Sequence, residues 1–368
     1  MKLLHVVGAR PNFMKVAPVL AALRAHSHVS QLLVHTGQHY DANMSDIFFE
    51  QLGIPAPDVN LSVGSGTHAR QTAEIMLRFE PVLVSAQPDL VLVYGDVNST
   101  VAAALVCSKL GVRVAHVEAG LRSFDRFMPE EINRLVTDRL ADLLFTPSED
   151  GDLNLRNEGA APEKIFRAGN VMIDSLVKLL PLAQARPVQF WRGEQLGEQA
   201  PPHAQPYALV TLHRPSNVDD SATLKSILQA LIDVTRDVAV VFPAHPRTRQ
   251  RIAEFGLRAP QLQLLDPLSY VDFLALQSHA QVVITDSGGI QEETTYLGVP
   301  CLTLRENTER PITVSLGTNT LVGRDPQKLK TEIARILEGR QKKGTIPPLW
   351  DGHAGERIAK VIAAQLPG

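Results

Sequence analysis

Cysteine is scarce: Cys107 and Cys301 are the only two in 368 residues. Each lies inside an apolar segment. No disulfide framework or zinc-binding spacing can be built from them, and a reducing cytosol is expected. An excess of charge is lacking too. The formal net charge of −3 gives no general attraction to nucleic acid or to an anionic membrane. No apolar run approaches membrane-spanning length, so no membrane association is expected. The apolar start, residues 3–7, lacks the basic flank and cleavage site of a signal peptide and reads as a first strand. Low-complexity tracts and short repeats are absent. Gly8-Ala-Arg-Pro11 is not a G-x-G-x-x-G fingerprint, so no dinucleotide cofactor is expected. What remains is 44% hydrophobic and 20% charged, the make-up of a soluble globular chain long enough for two domains.

Apolar strand candidates alternate with longer amphipathic segments. Strands are expected at 3–7, 31–35, 90–94, 112–117, 143–145 and 165–167, with helices at 13–25, 69–86, 97–109 and 130–141. The second half repeats the plan. Its strands are expected at 207–212, 238–243, 262–264, 282–285, 301–304 and 320–322. Its helices are expected at 221–235, 270–278, 289–297 and 326–338. Such alternation implies right-handed βαβ units and parallel sheets. Residues 181–206, rich in Pro, Gln and Ala, read as a connector, and a last helix is expected at 355–366. The expected domains are 1–178 and 179–351, with the final helix, 352–368, returning to the first.

The most telling stretch is Thr285-Asp-Ser-Gly-Gly-Ile-Gln-Glu-Glu-Thr294. It follows the apolar run 282–284, which reads as a buried parallel strand. Ser287, Gly288 and Gly289 then open a helix. Small residues at that turn admit a phosphate close to the backbone, where free amides and the helix dipole hold its charge. Glu293, one turn further in, suits a neutral hydroxyl such as a ribose. Together they suggest a nucleotide diphosphate; an αβ turn that merely needs small residues is the plainer alternative.

Ligands of open parallel sheets bind beyond the carboxyl ends of the strands. The residues at those ends are Arg10 with Asn12 and Lys15, then Asp96, Glu118, His213 with Arg214, His245, Asp286 with Ser287, and Arg305. Plainer roles exist for each. Asp96 could cap a helix. Glu130 after Pro129 could compensate a helix dipole. Arg10 and Lys15 stand at a helix start, where cations are disfavoured unless an anion or a salt bridge holds them. His116 and Glu118 share a strand face, but no third ligand has suitable spacing, so no metal site is expected. Tyr40-Asp-Ala-Asn-Met-Ser-Asp46 reads as a structured loop or a lid.

Taken together, these segments resemble the non-hydrolysing UDP-N-acetylglucosamine 2-epimerases along nearly the whole chain. The shared wording includes Gly8-Ala-Arg-Pro11, Thr36-Gly-Gln-His39, Tyr94-Gly-Asp96, His116-Val-Glu-Ala-Gly-Leu-Arg122, Pro129-Glu-Glu-Ile-Asn-Arg134, Gly169-Asn170, His213-Arg214, Thr285 to Glu293, and Thr308-Glu-Arg-Pro311. The resemblance implies an α/β, GT-B-like fold of two Rossmann-like, doubly wound parallel-sheet domains facing across a cleft. It implies a cytoplasmic homodimer that supplies activated sugar for surface polysaccharide and needs no cofactor. By the same resemblance Ser287, Gly288 and Gly289 hold the diphosphate of a UDP-sugar, Glu293 the ribose and Phe273 the uracil. Arg10 and Arg310 assist the phosphates, while Lys15, Asp96, Glu118, Glu130 and His213 face the sugar. The implied catalytic set is Asp96, Glu118, Glu130 and His213.

Two departures bear on substrate and control. Many relatives continue the His-Arg pair with Arg and Glu, where this chain has Pro215-Ser-Asn217. Many carry an Arg-Glu-rich segment after Gln-His, where this chain has Tyr40-Asp41. Gln38, Arg70, Arg214 and His245 are the candidates for a second, allosteric UDP-GlcNAc site. The Gly-Gln-His-Tyr-Asp wording also resembles relatives acting on UDP-2,3-diacetamido-2,3-dideoxy-glucuronate. Inversion at carbon 2 of UDP-GlcNAc is the leading expectation. That glucuronate, a GT-B glycosyltransferase and a non-catalytic nucleotide-sugar sensor are the alternatives.

Overall fold

The computed structural model describes residues 1–38, 51–186 and 206–365, without the side chains of Arg10 and Gln365. The loop or lid expected at 40–46 and most of the expected connector lie outside the described residues. The chain divides into two compact units, 1–178 with 348–368, and 179–347.

Unit 1 carries a seven-stranded parallel sheet. Its strands are β1 (Lys2–Val7), β2 (Ser30–His35), β3 (Val59–Asn60), β4 (Leu90–Tyr94), β5 (Val114–Val117), β6 (Leu143–Thr146) and β7 (Ile165–Arg167), in the order β3-β2-β1-β4-β5-β6-β7. β4 is buried at all five positions, Leu-Val-Leu-Val-Tyr, as befits a central parallel strand covered on both faces. The helices are α1 (Arg10–Leu23), α2 (His68–Ala86), α3 (Asn98–Leu110), α4 (Pro129–Leu140), α5 (Glu149–Asn157) and α6 (Val171–Gln184). α1 starts three residues before the expected helix. Pro11 suits a first turn, and the Asn12 side chain accepts from the Gly8 and Ala9 amides at 3.0 and 3.1 Å. α6 runs through Pro181, so the connector begins later than expected.

Unit 2 carries a six-stranded parallel sheet. β8 (Tyr207–Thr211), β9 (Ala239–Pro243), β10 (Gln263–Leu265), β11 (Val282–Thr285), β12 (Cys301–Thr303) and β13 (Asn319–Leu321) lie in the order β10-β9-β8-β11-β12-β13. Its helices are α7 (Pro215–Val218), α8 (Ser221–Val234), α9 (Pro246–Glu254), α10 (Tyr270–His279), α11 (Gly288–Leu297), α12 (Pro311–Ser315) and α13 (Pro326–Leu337). Side chains of Asp220, Ser269 and Asp325 accept from amides in the first turns of α8, α10 and α13. One face of the sheet packs on α8 and α13 through Val210, Leu228, Leu231, Phe242, Ile284 and Ile333. The other buries Leu209, Val283 and Leu276, with Phe273 against them.

The last helix, α14 (Ala354–Gln365), belongs to unit 1 and packs on α1. Asp174 caps its start by accepting from the amides of Ala354 and Gly355 at 3.1 and 2.7 Å. A Cβ on Gly355 would fall 2.7 Å from the Pro18 carbonyl oxygen, so glycine permits the close helix crossing. Trp350 anchors the approach to α14 by donating to the Pro147 carbonyl at 2.9 Å.

Candidate active site

In each sheet the strand order reverses once: between β1 and β4 in unit 1, and between β8 and β11 in unit 2. Such a switch point opens a crevice at the carboxyl ends of its two strands. Lys15 and Asp96 in unit 1, and His213, Arg214 and Ser287 in unit 2, come from the segments that leave those four strands.

Unit 1 fastens its switch point with an amide. Asn12, on α1, donates to the Tyr94 carbonyl at 2.9 Å while its oxygen holds the Gly8 and Ala9 amides. A Cβ on Gly8 would collide with the hydroxyls of Ser99 and Thr36, so this glycine serves close packing of the turn on α3. Lys15, one turn along α1, reaches back and pairs with Glu118; both side chains are buried. Glu118 follows β5 with φ +76°, in the left-handed region, which turns it out of line with His116 in the strand. The two residues expected to share a strand face therefore do not.

Asp96 follows Gly95 at the end of β4 and pairs with Arg134 of α4. It does not cap α3; that position is Val97. Arg134 also binds Glu131 at 2.6 Å, and Glu131 in turn accepts from the Ser123 and Phe124 amides. Burial alone would raise the Glu131 carboxyl. The Ser123 amide and Arg134 outweigh it and hold the group below its ordinary range. Glu130 sits half-buried in the first turn of the same helix, one turn before Arg134. Lys15 and Arg134 thus stand against Asp96, Glu118 and Glu131, two cations against three carboxylates, before Glu130 is counted.

Unit 2 fastens its switch point with a carboxylate. Asp286, fully buried after β11, accepts from the His213 and Arg214 amides at 3.0 and 2.9 Å and from Asn217 at 3.1 Å. The His213 ring is 2.9 Å from the other Asp286 oxygen and well over a third exposed. Burial would raise the Asp286 carboxyl. The hydrogen bond and charge of His213, with the Arg214 amide and Asn217, prevail and lower it. His213 also meets the His245 ring at a tilt, ring centroids 5.9 Å apart and planes at 41°.

α11 begins at Gly288 after Ser287, and no side chain caps it. Its first-turn amides and dipole therefore face the crevice as an anion site. Arg310 lies directly over Gly288: a Cβ there would come 2.5 Å from its guanidinium and 2.7 Å from Glu309. Arg310 binds Glu309 at 2.5 Å and Glu292 at 2.9 Å, while Arg305 binds Glu309 at 2.7 Å and Arg214 lies 3.9 Å from it. Burial opposes the Glu309 charge, but Arg310 and Arg305 hold its carboxyl far below the ordinary range. Three guanidiniums stand here against two carboxylates. Glu293, buried one turn into α11, accepts from the Tyr270 hydroxyl at 2.9 Å. Phe273 lies on α10, half-buried against the smaller core cluster.

Four residues named for a second nucleotide site divide evenly between the units. Gln38 is buried and spends its side-chain oxygen on the Ser99 amide and hydroxyl, at 3.1 and 2.7 Å. Arg70 is exposed in the first turn of α2. Arg214 starts α7, and His245 caps α9 through its ring nitrogen, 3.2 Å from the Arg247 amide. Among the described residues, no group of three His, Cys, Asp or Glu side chains is placed to hold a metal ion. No helix among them is long and apolar enough to cross a membrane. The Arg10 side chain lies outside the described residues.

Sequence reasoning missed the supporting partners Asp138, Glu158, Tyr270, Glu292 and Glu309. Glu131 and Arg134 were legible only as neighbours three apart on a helix. Glu309 lies next to Arg310 and four residues from Arg305, while the others pair across distant segments with no spacing to announce them.

A family model for UDP-N-acetylglucosamine 2-epimerase matches residues 21–363. The chain belongs to this family. The crystal structure of the Methanocaldococcus jannaschii UDP-GlcNAc 2-epimerase, in complex with UDP-GlcNAc and UDP, is 42% identical; it covers 99% of this chain and 100% of that one with a TM-score of 0.90. The UDP-2,3-diacetamido-2,3-dideoxy-D-glucuronate 2-epimerase of Pseudomonas aeruginosa is 43% identical over 366 residues, 99% of each protein. A lipopolysaccharide outer core galactosyltransferase, 13% identical with a TM-score of 0.55, shares the GT-B fold alone.

Proposed function

We propose that the chain reversibly inverts carbon 2 of UDP-N-acetylglucosamine, giving UDP-N-acetylmannosamine. One observation carries this: a family member joins a carboxylate-lined switch point in unit 1 to a cation-rich helix N-terminus in unit 2.

The chemistry dictates the division. The hydrogen on carbon 2 has no carbonyl beside it and is too weak an acid to be removed directly. Expulsion of UDP comes first. The bond from carbon 1 to the diphosphate oxygen breaks, its electron pair leaves with UDP, and carbon 1 becomes oxocarbenium-like. The proton on carbon 2 is then acidic enough for a carboxylate to take, leaving a glycal. Protonation of carbon 2 from the opposite face and return of UDP to carbon 1 complete an isomerisation that consumes nothing else.

Arg10, Lys15, His213, Arg310 and the start of α11 are assigned to the departing diphosphate, where charge develops. Ser287, Gly288 and Gly289 cradle it, Glu293 takes the ribose and Phe273 the uracil. Asp96, Glu118 and Glu130 are assigned to proton transfer and to stabilising the cation at carbon 1. Two faces of carbon 2 must be served, so acid and base are different residues. A cytoplasmic homodimer making precursor for surface polysaccharide completes the proposal. A second UDP-GlcNAc held by Gln38, Arg70, Arg214 and His245 would make the rate sigmoidal in substrate.

Incubation with UDP-GlcNAc alone in heavy water tests the reaction. Deuterium at carbon 2 and a second UDP-sugar are expected. An unlabelled, unchanged sugar would remove the proposal and leave a transferase or a sensor. The Pseudomonas relative makes UDP-2,3-diacetamido-glucuronate the second reading. The same assay run on both sugars decides between them by the ratio of kcat/KM values.

A further inference from the structure

Two histidines lie fully buried under the unit 1 switch point, and they differ in what surrounds them. His5, on β1, has the Tyr94 hydroxyl 2.7 Å from one ring nitrogen and the neutral Gln31 side chain as its other polar neighbour. Burial pushes its pKa down to about 3, the behaviour of a packed core imidazole. His116, on β5, has an acceptor at each end. Its Nε2 is 2.8 Å from the Gly95 carbonyl oxygen and its Nδ1 is 2.6 Å from Asp138. A carbonyl only accepts, so Nε2 carries a hydrogen. Asp138 also receives Arg122 at 2.7 Å and the Gly120 amide at 3.1 Å. With a guanidinium and an amide both donating to it, Asp138 is an ionised acceptor, so Nδ1 also carries a hydrogen. Arg122 closes the cluster by binding Glu158 through two bonds of 2.7 and 2.6 Å. With His116 as imidazolium, two cations meet two carboxylates, the buried Asp138 and the exposed Glu158, and the cluster is neutral.

These contacts reach the proposed acid–base groups through the backbone. Gly95, the residue before Asp96, donates its amide to the Val117 carbonyl at 2.9 Å and gives its carbonyl to His116. Both polar groups of that residue are therefore held by β5. On the other side stands Glu118, two residues after His116, in its left-handed conformation at φ +76°. A non-glycine residue keeps such a conformation only where its surroundings over-determine it. Here the Glu118 and Ala119 amides both donate to the Phe145 carbonyl, and Asp138 takes the Gly120 amide.

We propose that His116 is a positioning residue: as an imidazolium clamped between Asp138 and the Gly95 carbonyl, it fixes Asp96 and Glu118 relative to one another. It rests on the carbon 2 inversion proposed above. His116 touches no substrate; it acts through Gly95 on one side and through Asp138 and Gly120 on the other.

The test compares His116→Gln and Asp138→Asn with the wild type in the heavy-water assay, with UDP affinity and KM measured on the same samples. The expected result is a kcat lower by about 100-fold, the scale of a small misplacement of reacting groups. UDP affinity and KM should stay near the wild-type values, since the proposed nucleotide cradle lies in unit 2. A kcat per UDP-binding molecule close to wild type, in either variant, would overturn the clamp. Should neither variant fold, nitrogen-15 spectra of the histidine rings in the wild-type protein at pH 7 decide. One ring with slowly exchanging hydrogens on both nitrogens is expected, and the lack of any such ring overturns the proposal. A wild-type protein that exchanges nothing at carbon 2 of any UDP-sugar removes the reaction itself, which these spectra do not test.

Discussion

The two switch points solve one structural problem with different side chains. Each must tie together the ends of two central strands that diverge. Unit 1 uses the neutral Asn12 as its fastener and keeps its carboxylates, Asp96, Glu118 and Glu131, in excess over Lys15 and Arg134. Unit 2 buries a carboxylate, Asp286, as the fastener and gathers Arg214, Arg305 and Arg310 beside the start of α11, paired with Glu292 and Glu309. The same topology therefore leaves Asp96, Glu118 and Glu131 at one switch point and guanidiniums beside an uncapped helix start at the other. Fold alone decides where a ligand can sit; the pairing of charges decides what kind.

The sharpest way to break this contrast is to neutralise the carboxylates of unit 1. Asp96→Asn, Glu118→Gln and Glu130→Gln are each expected to lower kcat by about 1,000-fold, a typical loss for a general acid or base. UDP affinity, read by calorimetry, should stay within a few-fold. A parallel collapse of UDP binding would mean the two crevices do not divide the work. Next in size is Ser287→Asp. A carboxylate at the start of α11 would meet the diphosphate head-on, and UDP should bind about 100-fold more weakly, a loss near 3 kcal/mol. Retained tight binding would remove the cradle.

Two glycines offer a matched pair of smaller effects. Gly288→Ala puts a methyl group 2.5 Å from the Arg310 guanidinium, which must swing away. UDP affinity should fall by about tenfold, roughly 1.4 kcal/mol, with proton exchange at saturation little changed. Gly95→Ala puts a methyl group against Lys15 Nζ, at a φ of +62° that alanine disfavours. Here kcat should fall by about tenfold while UDP affinity holds. If both variants lose the same property, the division fails.

Acid should separate the units more gently. His5 has its folded-state pKa lowered from 6.5 to about 3 by burial. Between those values the unfolded chain binds the extra proton, so stability rises with pH and is lost as pH falls from 6.5 towards 3. In unit 2, Asp286 and Glu309 are depressed carboxyls. Their contribution is intact above the ordinary carboxylate range, near pH 4, and is lost only below it. Protection of amides from hydrogen exchange should therefore weaken in β1 from about pH 6 downwards, by at most about tenfold per pH unit, while β11 keeps its protection to about pH 4. Simultaneous loss in both strands would contradict the assignment.

Much of this was legible in the chain itself. Apolar runs such as 90–94 and 282–284 marked buried parallel strands, because only a strand covered on both faces is apolar at every position. Ser287-Gly288-Gly289 marked an anion-ready helix start for a local reason, the small size of its residues at a turn. Boundaries were less legible: α1 begins at Arg10, where Asn12 takes the Gly8 and Ala9 amides, and α6 runs through Pro181.

The order of residues along the chain determined the alternation of strands and helices, the chemistry at strand ends and the family, since these depend on near neighbours. Tertiary structure alone decided the partners: Lys15 with Glu118, Arg134 with Asp96, His116 with Asp138, Arg310 with Glu292. A charge pays nothing in water for standing alone, so the sequence carries no mark of its partner. Once it is buried, desolvation makes a counter-charge obligatory, and only the folded chain brings one from tens or hundreds of residues away.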